Sequence, residues 1–340
     1  MRTDPLDLSG SRCLVTGCAG FIGSHLAHRL LDEGARVEGI DNLNAYYDPA
    51  WKEARLSRLA IRKGFTFRKL DIADATGVGE VFDGGFDFVF HLASQAGVRH
   101  SVDHPYDYID GNLKGTVHVL ENCRRARVKH FLFASTSSVY GLDCPPFAEA
   151  DGGDHPASLY AATKRAGELM AHSYAHLFSL PATCLRFFTV YGPWGRPDMI
   201  PFLFARALEE GTPIPLFAEG AMLRDFTYIE DVVEAIFRVA RLPPSAGEFD
   251  PEDRGRSSAP WRALNVGGER PVRVRRFLEL LARALDKPIR IEHRPAPPGE
   301  VWETRADPSR LVALTGFRPG IALEDGLERF ATWWATRPIP

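Results

Sequence analysis

Tyr160 and Lys164 are the residues whose types and spacing point most directly to chemistry. They bracket the run Tyr160-Ala161-Ala162-Thr163-Lys164, and residues four apart share one face of a helix. A phenol titrates near pH 10, too high for an efficient base at neutral pH. A nearby ammonium favours the phenolate, and each pKa unit of lowering is worth about 1.4 kcal/mol. The pair therefore reads as a general base. The same spacing also describes an amphipathic helix with a surface lysine. The pair gains weight from its company, the hydroxyl cluster Thr136-Ser137-Ser138 and a glycine-rich stretch near the N-terminus.

That stretch is Val15-Thr16-Gly17-Cys18-Ala19-Gly20-Phe21-Ile22-Gly23. It follows the strand-like run Cys13-Leu14-Val15 and opens a pattern in which Leu26, Leu30 and Leu31 fall on one helix face. Gly17 allows a sharp strand-to-helix turn, Gly20 lets the backbone approach a pyrophosphate, and Gly23 lets the helix pack closely on a sheet. Free N–H groups and the dipole at the helix start favour a diphosphate. Asp41 follows about twenty residues later, at the end of a second strand. A carboxylate there accepts a hydrogen bond from a ribose 2′-OH and repels a 2′-phosphate, so the expected cofactor is NAD rather than NADP. The positive nicotinamide ring would then add to the lysine in favouring a tyrosine phenolate.

These residues need elements to hold them. Strands are expected at Arg12 to Thr16, Arg36 to Ile40, Phe65 to Lys69, Asp87 to His91, Phe131 to Ala134 and Ala182 to Phe187, with helices between most of them. Repeated βα units predict an α/β fold, a doubly wound parallel sheet of the Rossmann type covered by helices on both faces. Ligands of such sheets bind at the carboxyl ends of the strands, where this chain carries Asp41-Asn42, Asp71-Ile72, Ala93-Ser94-Gln95, Ser135-Thr136-Ser137-Ser138 and Thr189. The second half is less regular. Helices are expected around Phe202 to Glu210, Glu230 to Ala240, Arg275 to Leu285 and Glu324 to Trp334, with short strands near Ile214-Pro215-Leu216 and Arg224 to Tyr228. Residues Pro243 to Pro260, rich in Pro, Gly, Ser and charge, read as an exposed loop. The expected division is a nucleotide-binding unit, 1–186 with 225–242 returning to it, and a smaller α/β C-terminal substrate unit, 187–224 with 243–340.

A net charge of −3 offers no basic excess for a nucleic-acid partner. The apolar runs are too short to span a bilayer, and Met1 to Gly10 lacks a signal-peptide pattern, so a cytoplasmic protein is expected. Cys13, Cys18, Cys123, Cys144 and Cys184 are scattered without a CxxC pair and read as reduced thiols. His172 and His176 lie four apart but have no evident third ligand. They read as two solvated histidines, and no metal site is expected.

The segments TGCAGFIG, GIDNLNAYYD, FHLASQAGVR, ASTSSVYG, YAATK, LRFFTVYGPWGRPDM and RDFTYI together resemble the extended short-chain dehydrogenase/reductase family, specifically its nucleotide-sugar epimerases of the uronic-acid type. The resemblance covers roughly Arg12 to Pro319. It implies an NAD-dependent isomerase that converts UDP-glucuronate to UDP-galacturonate through a transient 4-keto sugar. In that reaction Tyr160 takes the 4-OH proton as the C4 hydride passes to NAD, and Thr136 hydrogen-bonds the same oxygen. Lys164 holds the nicotinamide ribose and lowers the tyrosine pKa. Gly17, Gly20, Phe21, Ile22, Gly23, Asp41, Asn42, Asn44, Asp71, Ile72, Leu92, Ala93, Ser94 and Gln95 are implied to line the cofactor, with Tyr160 and Lys164.

Oxidation at C4 of a uronic acid gives a β-keto acid that loses carbon dioxide when the breaking bond aligns with the carbonyl π system. An epimerase must hold the carboxylate out of that alignment. Thr189, Ser137, Ser138 and Arg196 are the candidates, and an Arg can chelate a carboxylate through two parallel hydrogen bonds. Related dehydratases and decarboxylases carry an acid one or two places after the catalytic Thr, whereas this chain has Ser137 and Ser138 there. On the nucleotide side the resemblance implies Arg224 for the diphosphate, Leu216 and Phe217 against uracil, Glu300 for the uridine ribose, and Arg99 near the sugar or diphosphate. Pro297-Pro298 stand where many relatives have an Arg or Gln, and Arg294 is a possible substitute. A neutral UDP-hexose 4-epimerase and a non-catalytic NAD-binding sensor are the alternative readings. The resemblance also implies a homodimer through helices near Asn112 to Cys123 and Tyr160 to His176. Val117, Leu120, Leu169 and Tyr174 suit that interface or packing on the sheet equally.

Overall fold

The computed structural model describes residues 4–247, 250–296 and 301–338. Six apolar runs of the first half form β1 (Arg12–Thr16), β2 (Arg36–Asp41), β3 (Phe65–Lys69), β4 (Phe88–His91), β5 (His130–Thr136) and β6 (Ala182–Phe187). Then come β7 (Thr189–Tyr191), β8 (Ile214–Phe217), β9 (Leu223–Tyr228), β10 (Trp261–Val266), β11 (Pro271–Arg273) and β12 (Ile291–Arg294). Seven of them make one parallel sheet in the order β10-β6-β5-β4-β1-β2-β3. Alternate residues along each strand feed two cores. Val15, Phe90 and Leu132 join one buried cluster, and Leu14, Val89 and Phe131 join another, which is the period-two signature of a sheet covered on both faces.

The seventh strand, β10, is one the sequence reading did not place. It pairs with β6 from Trp261↔Ala182 to Val266↔Phe187, so a segment beyond residue 243 completes the nucleotide-binding sheet. Trp261, Ala263, Leu264 and Val266 are buried, but Arg262 and Asn265 interrupt the apolar run, and the strand follows directly on a Pro/Ser-rich loop.

The helix Leu159–Phe178 positions the tyrosine–lysine pair. Ser158 caps it by accepting from the Ala161 N–H at 3.1 Å. Its buried stripe is short side chains, Ala161, Gly167, Ala171 and Ala175, together with Lys164 and Glu168. A Cβ at Gly167 would lie 2.3 Å from the Phe133 ring, so glycine is what lets this helix lie directly on β5. Beneath it, Glu168 accepts from Ser135 Oγ at 2.6 Å and from Arg186 Nε and Nη2 at 2.9 Å each. Burial alone would raise the Glu168 carboxyl, but the Arg186 guanidinium, helped by Arg165 and Ser135, holds it below the usual range. This pair ties the tyrosine helix to the ends of β5 and β6.

The remaining strands form two small sheets, β11-β9-β7 and β12-β8. Buried Asp225 knits the first together by accepting the N–H groups of Gly268 (2.8 Å), Glu269 (3.0 Å) and Ala306 (2.9 Å). The helix Ile229–Ala240 packs against Phe21–Asp32, where Arg29 Nε reaches Glu234 at 3.3 Å. Among the described residues no helix is long and apolar enough to cross a membrane. His172 is not merely solvated, because its Nε2 is bonded to Ser257 Oγ at 2.7 Å and its ring lies edge-on to Trp261. Of the four apolar positions considered for an interface, Leu120 is fully buried in the chain's own core, whereas Val117 and Leu169 are exposed.

Two buried histidines make the sheet sensitive to acid. His91 is bonded to Thr16 (2.8 Å) and Thr116 (3.1 Å), and His130 to Thr183 (2.8 Å) and the Ala240 carbonyl (3.0 Å). Burial pushes each imidazole down to about 3, aided by Lys164 for His91 and by Arg262 for His130. A depressed folded pKa means that the unfolded chain takes up the proton first. The stabilisation is therefore complete above about pH 6.5 and is lost as pH falls from there towards 3, at up to about 1.4 kcal/mol per pH unit per histidine. Urea midpoints measured at pH 7.5 and pH 5 should show a clear fall at pH 5, and equal midpoints would refute the assignment.

Candidate active site

A cleft of about 690 Å³ runs along the carboxyl ends of the strands and crosses the point between β1 and β4 where strand order reverses. At its floor the chain leaves β1 through Gly17, whose φ of +72° and whose missing Cβ, 2.8 Å from the Ala93 nitrogen, both require glycine. A Cβ on Gly23 would sit 2.1 Å from the Gly17 carbonyl, so this glycine seats the helix on the turn. Gly20, by contrast, has only the Gly17 carbonyl near its absent Cβ and lines the cleft. The helix Phe21–Asp32 starts there with no capping side chain, leaving its first N–H groups for a ligand. Cys18 is accommodated because Gly39, facing it from β2, has no side chain.

Asp41 ends β2 beside this turn and accepts the N–H groups of Leu43 (2.9 Å) and Ala19 (3.2 Å). Burial raises its pKa, although the Lys52 ammonium and those N–H groups oppose the rise. Asn42 donates to Asp71 at 2.9 Å, Asn44 donates to Gln95 at 3.1 Å, and Lys52 Nζ donates to Asn44 Oδ1 at 2.6 Å. The strand-end loops are thus bonded to one another around the cleft. On the far side Asn112 accepts the Gln95 N–H at 2.7 Å and donates to the Gln95 carbonyl and to Thr163, both at 3.0 Å. It does so from a π-helical turn, Ile109–Lys114, of the kind found at functional sites. Gly17, Gly20, Phe21, Ile22, Gly23, Asp41, Asn42, Asn44, Asp71, Ile72, Leu92, Ala93, Ser94 and Gln95 all line the cleft. A glycine-lined approach, uncapped N–H groups and an acid at the second strand end fit NAD: the glycine turn would hold its diphosphate and Asp41 its adenosine ribose.

Tyr160, Lys164, Thr136, Ser137, Ser138, Thr189 and Arg196 line the other half. Thr136 is the last residue of β5, and its Oγ1 accepts the Ser138 N–H at 3.2 Å and lies the same distance from Ser138 Oγ. The electrostatics around Tyr160 differ from the expectation. Lys164 Nζ donates to the Ala134 carbonyl at 2.8 Å, and burial pushes this amine down to about 7. The groups that pull the Tyr160 hydroxyl down are the Arg196 charge and the Thr136 hydrogen bond, and burial outweighs both, so its pKa is raised. Burial favours the neutral amine, which brings no charge to bear on the tyrosine hydroxyl.

Arg99, Leu216, Phe217 and Arg224 stand apart from this cleft lining. The Arg99 guanidinium lies 5.7 Å from the Phe217 ring. Leu216 is core, and Arg224 Nη1 donates to the Leu223 carbonyl at 2.9 Å. Glu300 and Pro297-Pro298 lie outside the described residues, and Arg294 pairs with Glu292 at 2.6 Å. The structure adds residues that sequence reasoning missed. Tyr46, Tyr47, Lys52 and Met199 line the cleft, and Asp198 pairs with Arg196. Tyr46 and Tyr47 sat inside a quoted segment, GIDNLNAYYD, but nothing in their local spacing marked them.

Comparison with known proteins adds an independent line. Residues 13–250 match the model of the NAD dependent epimerase/dehydratase family. A probable UDP-glucuronate 4-epimerase of Rhizobium meliloti (strain 1021) is 46% identical over 329 residues, 95% of this chain and 96% of the relative. UDP-glucuronate 4-epimerase 1 of Arabidopsis thaliana is 42% identical over 332 residues, 96% of this chain and 77% of the relative. Among solved structures, the UDP-glucuronic acid 4-epimerase of Bacillus cereus in complex with UDP-glucuronic acid and NAD superposes with a TM-score of 0.84. It is 31% identical, covering 96% of this chain and 99% of that one.

Proposed function

We propose that this chain, which belongs to the NAD dependent epimerase/dehydratase family, inverts UDP-glucuronate at C4 to give UDP-galacturonate. The observation that carries the reading is the convergence of Thr136, Tyr160 and Arg196 on one cleft, with serines rather than an acid directly after the threonine. NAD, when bound, supplies a hydride acceptor that returns the hydride within the same turnover. Tyr160 takes the 4-OH proton and gives it back, and Thr136 steers the same oxygen. Because burial keeps Tyr160 protonated at rest, the Arg196 charge and the Thr136 bond are what make its ionisation accessible. Arg196 meets the substrate carboxylate, with Ser137, Ser138 and Thr189 fixing its orientation away from the decarboxylating geometry.

Arg224, Phe217 and Arg99 serve the nucleotide from beyond the described cleft lining, and Glu300 serves its ribose. The protein works in the cytoplasm as a homodimer. Exposed Val117 on the helix Gly115–Ala126 and exposed Leu169, Leu177 and Phe178 on Leu159–Phe178 supply the apolar face for a second copy. Sedimentation at micromolar concentration tests the dimer, and a monomer would refute it.

The deciding experiment mixes the purified protein with UDP-glucuronate and no added NAD, and follows the sugar protons by NMR. A new axial 4-OH uronate without UDP-pentose supports the reading. Formation of UDP-pentose, or turnover of neutral UDP-hexoses alone, overturns it.

A further inference from the structure

Arg196 reaches the cleft already engaged on one side. Its Nε donates to Asp198 Oδ1 at 3.0 Å and its Nη2 to Asp198 Oδ2 at 2.5 Å, so the side edge of the guanidinium is filled from its own loop. Oδ2 also accepts the Tyr46 hydroxyl at 3.0 Å. Tyr46 is itself held. Its ring lies edge-on to His100 at 4.8 Å and 5.6 Å from the Arg196 guanidinium carbon, and its hydroxyl fills the space where a Gly97 side chain would be. Tyr46, from a segment distant in sequence, thus braces the Arg196–Asp198 pair and is itself braced by residues 97–100. Among the described residues Nη1 makes no hydrogen bond, and the end edge of the guanidinium, Nη1 with the second Nη2 hydrogen, stays open.

We propose that Asp198, fixed by Tyr46, is a positioning residue for Arg196: by occupying the side edge, it leaves a substrate carboxylate only the end edge of a guanidinium whose charge is already partly neutralised. The proposal rests on the uronate reading above. After oxidation the 4-keto sugar must turn so that its other face meets the hydride donor, and its carboxylate must change partners as it turns. An unneutralised guanidinium pairing side-on would bind the carboxylate by two charge-assisted bonds. Binding of that kind stabilises the two end orientations more than the turn between them, in which the carboxylate must leave its partners, and so retards the turn. The Asp198 carboxylate is suited to stay charged in this role. Burial would raise its pKa, but Arg196 and the Tyr46 hydroxyl hold it low.

The test is steady-state epimerisation of UDP-glucuronate by the NAD-loaded protein and its variants. Asp198→Asn should lower both KM and kcat, each by about five- to tenfold, because the freed arginine grips the carboxylate more tightly. Tyr46→Phe should move both in the same direction by less, and Asp198→Glu should restore the parent values. In an Arg196→Ala background, Asp198→Asn should add less than about twofold, the non-additivity expected of a residue acting through another. A raised KM with lowered kcat, or full additivity with Arg196→Ala, would mean that Asp198 merely supports the loop and would overturn the proposal. If Asp198→Asn does not fold, Tyr46→Phe decides by the sign of its KM change. Parental protein that ignores UDP-glucuronate overturns the uronate reading and this proposal with it, whereas failure in the variants alone overturns only the proposal.

Discussion

Tyr160→Phe should lower turnover of UDP-glucuronate by about 10²–10⁴-fold, the range typical of a removed acid–base group, while the protein stays folded and keeps its NAD. The phenyl ring fills the same volume, so the T-shaped contact with Tyr108 (centroids 6.1 Å apart) survives. What is lost is the phenolic hydroxyl to which the proposed mechanism assigns the proton exchange. The glycine turn and Asp41, which would hold the cofactor, line the other half of the cleft and are untouched by the substitution. Cofactor retained after gel filtration, read by absorbance after denaturation, separates loss of the base from loss of NAD. Turnover above about a tenth of the parent value would remove Tyr160 from the mechanism, because a general base contributes at least about 10²-fold.

The second large effect lies in a residue that touches neither reacting atom. Arg55 is fully buried and spends its guanidinium on four partners. Its Nε donates to the Trp194 carbonyl (2.8 Å), Nη1 to the Ala19 carbonyl (3.1 Å) and the Tyr47 hydroxyl (2.9 Å), and Nη2 to the Gly195 carbonyl (2.6 Å). One side chain thereby bolts the glycine turn to the loop that carries Arg196. It also fixes Trp194, which holds a left-handed φ of 61° without being glycine. Arg55→Met keeps the bulk and abandons three buried carbonyls, so it should cost about 3–5 kcal/mol of stability, the range for breaking a buried charged contact. It should also raise KM for UDP-glucuronate, because the Arg196 loop loses its anchor. Urea unfolding of parent and variant measures the first effect. A loss under about 1 kcal/mol would mean that water replaces the arginine.

The sequence exposed the parts of this site that are local. The glycine spacing, the acid at the second strand end and the tyrosine–lysine pair each occupy a few consecutive positions, and the structure brings them to one cleft. Six of the seven sheet strands were legible because their apolar runs are short, bounded and regularly spaced. The contacts that hold the cleft together were not. Arg55 to Trp194, Tyr46 to Asp198 and Asn112 to Gln95 join residues with no periodic relation, and each residue read alone is an ordinary polar side chain. The tyrosine's surroundings failed to follow from spacing for a related reason. Position four along a helix shows that Lys164 lies on the same face, but not that its amine donates to the Ala134 carbonyl and is shifted by burial towards its neutral form. Strand β10 escaped because Arg262 and Asn265 break its apolar run, and both find their partners only in the folded surroundings, Arg262 through Nη2 alone among the described residues. The Arg262 guanidinium donates to the Leu242 carbonyl, and the Asn265 side chain donates to the Phe147 carbonyl at 2.8 Å and accepts the Tyr140 hydroxyl at 2.7 Å.

That late strand sets the order in which the protein can be made. A ribosome delivers β6 some eighty residues before β10, with the parts of two smaller sheets in between. Until Trp261–Val266 emerges, β6 is an unpaired margin of polar backbone, the kind of surface that recruits strands from other chains. The nucleotide-binding sheet therefore receives its last strand only after the segments of the smaller sheets between β6 and β10 have been made. A fragment ending at residue 243 should associate through β6 or be held by chaperones, although it contains the glycine turn, Thr136, Tyr160 and Lys164. A monomeric, NAD-binding fragment of that length would show that the edge closes without its last strand.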